Sequence, residues 1–189
     1  MPDLHTSGPL FGMAAGLEAR LKAFFPPSHF GFGIVPAGLT PAMWARLTQR
    51  TPWVGLGFRG VKPDAASGRI LKGKAEWTVF VVVKNAHSPR ARLLGDAMGP
   101  AQLGMIQVAA LCLHAHELRD IGHVEVVGIA NLQAEGWKDE AAEIAALSIT
   151  VNLSLTDPRE LPDFLRLAVQ WQFEPPPSEG PADTIEAGI

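Results

Sequence analysis

Cysteine is nearly missing from this sequence. Cys112 is the single one in 189 residues, which excludes an intrachain disulfide and suits a reducing compartment. Long apolar runs are missing as well: none approaches the roughly 18 residues a membrane span needs. The start, MPDLHTSGPLFGMAAG, has no basic segment leading into a clean apolar one, so the expectation is a soluble, cytosolic chain without a secretory leader. No GxxxxGK[ST] or GxSxG occurs, and the glycines of GFGIVPAG and GPAQLG lack the strand–GxGxxG–helix setting with its downstream acid. A dinucleotide fold is therefore not expected.

Acidic residues are scarce in one half. Residues 40–92 carry ten Lys/Arg against Asp64 and Glu76, whereas 93–189 carry four basic residues against fifteen acidic ones. The basic half lacks the Lys/Arg clusters interleaved with aromatics that mark nucleic-acid binding. Two readings stay open: charges scattered over solvated faces, or one face attracting a different face of a neighbouring copy, as head-to-tail assembly requires.

What is present reads as one core, with 47% apolar and 19% charged residues. MAAGLEARLKAFF (13–25) places Met13, Leu17, Leu21, Phe24 and Phe25 on one stripe of a helix stopped by Pro26-Pro27. HFGFGIVPAG reads as a glycine-rich strand. Thr40 caps a second helix with Pro41 at its first position and Met43, Trp44 and Leu47 inward. WVGLGFRGV (53–61) and AEWTVFVVVK (75–84) form an antiparallel pair, with Val54, Leu56 and Phe58 on one face and Gly55 and Gly57 where something bulky passes close. A central helix is expected over 100–118, with Leu103, Ile106, Ala110 and Leu113 at helical spacing. Strands at 122–133 and 143–155 follow, separated by an acidic turn containing Trp137. Leu165, Leu167, Val169, Trp171 and Phe173 alternate with polar residues as a further strand, a helix being the alternative there. Residues 1–174 thus form one α+β domain, a mainly antiparallel sheet against two or three helices, and the acidic, proline-rich 175–189 a disordered arm.

The stretch LHAHELRDIGH (113–123) invites a metal reading, because it approaches the H-E-x-x-H helix of zinc hydrolases. Spacing opposes it. On a helix His114 and His116, two apart, face different sides; His116 and Asp120 share a side, but Gly122 ends the helix near 118–120. Further ligands would have to come from His5, His29, His87 or a distant carboxylate. No metal, cofactor or catalytic site is expected, and the histidines suit a helix C-terminus. Cys112 reads as core filler. KNAHSPRARLLGD (84–96) reads as a solvated connection, with a partner loop as the other reading. Trp44, Trp53 and Trp77 read as core, while Trp137 sits in a loop suited to contact.

Over residues 13–174 the sequence resembles the small neck and tail proteins that Mu-like phages and prophages encode upstream of their tail structural genes. The resemblance rests on LEARLKA, AEWTVFVVVKNA leading into RARLLGDA, the helix up to LHAHEL, VEVVGIANL and LPDFLRLAVQWQFEPP. It implies a tail-terminator-like domain in the virion neck, made in the host bacterial cytoplasm, without enzymatic activity. By that pattern the protein forms a ring, a hexamer, on the tail tube protein and docks the head–tail connector or adaptor, with DNA passing its lumen unspecifically. Subunit contacts would fall at Arg90, Arg92, Trp137 and Trp171, with sheet addition at the free edge of the strand around Trp171 or of the 53–61 pair. A neck adaptor or assembly factor that leaves the virion is the alternative, and a metal-dependent hydrolase the remote one.

Overall fold

The computed structural model describes residues 8–38, 40–65, 70–85, 88–97, 99–132 and 142–155. All belong to the first of two compact units, Met1–Leu155 and Thr156–Ile189. The expected strand with Trp171, the turn with Trp137 and the arm 175–189 lie outside the described residues.

Alternation of apolar and polar residues builds the sheet. β1 (Gly31–Val35), β2 (Trp53–Pro63), β3 (Leu71–Lys84), β4 (Glu117–Leu118), β5 (Gly122–Asn131) and β6 (Ala142–Leu155) line up in the order β1-β2-β3-β6-β5-β4. β1 pairs parallel with β2 and the other pairs are antiparallel. The fold is therefore α+β with a mixed sheet. β3 and β6 are matched over their whole lengths, from Leu71↔Leu155 to Lys84↔Ala142. Ala75, Trp77, Val79, Val81 and Val83 thus share a face with Ala145, Leu147, Ile149, Val151 and Leu153, and all ten are buried.

Two helices cover that face. α1 (Pro9–Phe24) presents Met13, Leu17 and Leu21, and the longest later helix, Gln102–Leu113, presents Met105, Ala109, Cys112 and Leu113. Each fully buried aliphatic side chain contributes about 1.5–3 kcal/mol relative to exposure. On the opposite face α2 (Pro41–Leu47) lays Trp44 against Trp53, Val35, Val82 and Ile144, the two indoles meeting edge-on at 5.5 Å. The glycines of β2 make room for this arrangement. A Cβ on Gly55 would sit 2.0 Å from the Trp53 ring, and one on Gly57 would sit 3.3 Å from the Val35 carbonyl oxygen of β1.

Several expectations need correction. α1 starts at Pro9, and Phe24 turns outward with the Arg20 guanidinium 4.5 Å over its ring. Met43 is exposed, while the Leu47 side chain lies outside the described residues. Phe58 is exposed at a bulge that shifts register before Gly60, resting on Trp77. The proline-broken connection contains α3 (Pro89–Leu94), capped by Ser88, whose Oγ accepts from Ala91 N at 3.0 Å. The central helix, α4, is Gln102–Leu113 and not 100–118; of its expected stripe Leu113 is buried and Ile106 and Ala110 pack half-buried against the core, while Leu103 is 47% exposed and Met105, Ala109 and Cys112 are buried instead. The 53–61 pair offers no free edge over Trp53–Gly57, where β2 is flanked by β1 and β3.

Candidate functional site

LHAHELRDIGH is a hairpin rather than a helix end running to Leu118. α4 stops at Leu113, His114 takes an extended conformation, and Ala115 has φ 59°. The backbone is then captured by β5: Ala115 N donates to Val124 O at 2.8 Å and Val124 N to His116 O at 2.9 Å. Glu117 and Leu118 pair with His123 and Gly122 across a turn in which Asp120 has φ 61°. His116 and Asp120 therefore never share a helical face. The exposed His114 accepts from Val126 N through Nδ1 at 3.4 Å. Burial, then the nearby Arg20, lower the pKa of His116 below its usual 6.5, against the pull of Glu117. Asp120 pairs with Arg119 at 3.6 Å with both side chains in solvent, a pair worth little. Among the described residues no group of three or more His, Cys, Asp or Glu is placed to hold a metal ion. His29 is exposed, and His5 and His87 lie outside the described residues.

Cys112 is core. Burial pushes its thiol up to about 11, although Arg20 opposes the shift, and Sγ donates to Ala109 O at 3.3 Å. Arg20 joins α1 to α4 here, donating from Nε to Cys112 O at 2.9 Å.

The arginines of α3 divide. Arg90 is exposed. Arg92 is only 9% exposed; it donates from Nη1 to Asn85 O at 3.0 Å and pairs through Nε with Glu143 at 3.3 Å. Its guanidinium ties α3 to β6, so of the two candidate contact arginines only Arg90 presents its charge to solvent. Trp44, Trp53 and Trp77 are buried, as expected for core.

What the described surface offers is apolar area. On the outer face of α4, Leu103, Val108 and Leu111 are exposed, Leu111 to 72%, and Leu93 and Leu94 of α3 are exposed as well. Sequence reading missed this face because α4 is apolar on every side. A second feature is an open trough of about 480 Å³ on the sheet face opposite α4, lined by Arg59, Glu76, Thr78, Phe80, Ser148 and Thr150 among others. The third is the pair of sheet edges. β1 has no neighbour beyond it among the described residues, nor has β5 past Val126, the last residue of β5 bonded to the 114–118 segment. Ile34 on the first edge and Val127 and Ile129 on the second are each more than half exposed. No protein-family model matches the chain, and no curated protein is similar to it at a significant level.

Proposed function

We propose that this protein is a structural assembly component: a ring-forming phage tail terminator that caps the tail tube and joins it to the head–tail connector. The observation that carries this reading is the exposed apolar face formed by Leu103, Val108 and Leu111 with Leu93 and Leu94. Large apolar side chains exposed along one side of a helix favour a contact with another macromolecule. The stretches on which the family resemblance rests fall in regular elements, LEARLKA in α1, AEWTVFVVVK in β3 and VEVVGIAN in β5. In this reading the α4 face meets tube or connector, other surfaces meet neighbouring copies, and the chain acts without cofactor. The mass of the purified chain in low and high salt tests it. A discrete multiple of the chain mass is expected, and a strict monomer that retains neither tube nor connector protein would overturn the proposal.

A further inference from the structure

Sheet order converts the charge split of the sequence into a spatial one. The strands β1, β2 and β3 with α2, residues 31–84, carry seven described Lys/Arg against Asp64 and Glu76. The other half of the sheet, residues 115–132 and 142–155, carries Glu117, Asp120, Glu125 and Glu143 against Arg119, with Glu125 paired to Lys74 of β3 at 3.1 Å and Glu143 to Arg92 of α3 at 3.3 Å. The β1 edge is therefore the basic side, with Arg46 and Arg50 lining the groove beside it, and the β5 edge is the acidic side.

The two edges also match in shape. If β3 points up, β2 and β1 run down, β6 runs down and β5 runs up. A second copy set beside β1 with its strands aligned thus presents β5 antiparallel to β1. β1 has five residues, and β5 beyond its irregularity at Val126/Gly128 offers Gly128–Asn131. Ile34 pairs with Leu56 and Ile129 with Leu147, both partners being on the helix-covered face. Ile34 and Ile129 consequently lie on that same face at opposite edges, 55% and 51% exposed.

Resting on the assembly reading above, we infer that the subunits join by sheet extension, the β1 edge of one copy receiving the β5 edge of the next. Pairing unlike edges is a heterologous contact, which generates a ring where the rotation closes. Edge pairing satisfies the exposed backbone groups of both strands and sets Ile34 beside Ile129 of the neighbour. Self-pairing of β1 edges would instead oppose Arg46 and Arg50 to their own copies.

Two variants separate the edges: Ile34→Asp spoils β1 and leaves β5 intact, while Ile129→Asp does the reverse. Both sites are exposed, and thermal unfolding checks that each variant is folded. Native mass spectrometry should find each variant monomeric and their mixture a one-to-one dimer, since a single live interface remains. Arg46→Glu supplies an independent arm, weakening wild-type assembly severalfold at low salt and much less at 1 M salt. Assembly of wild type that survives both Asp substitutions would overturn edge pairing and leave the ring reading standing. A dimer of Ile129→Asp by itself would overturn the head-to-tail order, a monomeric wild type would overturn edge pairing, and one that also retains neither tube nor connector protein would overturn the assembly reading as well.

Discussion

Gly55→Ala should destabilise the fold strongly although it adds one methyl group. In an ordinary strand interior the exchange gains about 0.5–1 kcal/mol, because glycine has more backbone freedom to lose. Here the added Cβ lies 2.0 and 2.4 Å from two carbons of the Trp53 indole, where carbon atoms prefer about 3.5–4.0 Å. The ring would have to retreat by about 1.5 Å, and it has nowhere to go: Trp53 is buried and abuts Trp44 of α2. Overpacking of this kind costs about 1–3 kcal/mol, and an overlap so large against a locked ring puts the net loss near about 2 kcal/mol. With a urea dependence of about 1–3 kcal/mol per molar, the unfolding midpoint drops by roughly 1 M at unchanged slope. Tryptophan fluorescence reads the transition and near-ultraviolet dichroism the indole packing. Gly128→Ala is the control; its Cβ meets nothing nearer than Ser148 Cβ at 4.0 Å, so no loss and a gain of up to about 1 kcal/mol is expected. If Gly55→Ala unfolds at the wild-type midpoint with unaltered dichroism, the close packing of Trp53 on β2 is refuted.

Arg92→Ala removes the donor to Asn85 O and strands Glu143; a loss of about 1.5–3 kcal/mol is expected for hydrogen bonds to a charged group. Urea melts of this variant and of Arg90→Ala should differ by that amount, and equal stability would show that Arg92 is not a tie between α3 and β6. Native Cys112 should resist an aromatic disulfide reagent at pH 8 and react at once in denaturant, because its thiol is buried and raised from 9.0 to about 11. By linkage, the unfolded chain loses that proton first, so the contribution is intact below pH 9.0 and stability falls as pH rises from there towards 11. Rapid native modification would contradict the burial.

Legibility of the fold followed the periodicity. The second half of β6, where Ile149, Val151 and Leu153 alternate with Ser148, Asn152 and Ser154, was readable, as was the Thr40–Pro41 start of α2, whereas VFVVV of β3 and IAAL of β6 are buried or half-buried on both faces and carry no alternation. α3 was also signalled, by Ser88 before Pro89 and Gly95 after Leu94, but the run looked like a polar connection. The face of α4 was legible only in part: Ile106, Ala110 and Leu113 pack on the core, but Leu103 does not. QLGMIQVAALCL is apolar all round, so composition cannot say whether Leu103 or Met105 faces the sheet; only the position of α1 decides. HAHEL has good helix formers, yet β5 claims its backbone at Ala115 and His116, and long-range pairing overrides local propensity. The candidate surface had the same limit, since the two sheet edges are defined by strand order, which sequence periodicity does not contain.

Electron microscopy of the purified full chain added to polymerising tail-tube protein tests the central claim most directly. A ring of density at one end of each tube, with elongation arrested at that end, is the predicted result; tubes that grow to their usual length distribution with bare ends would contradict it.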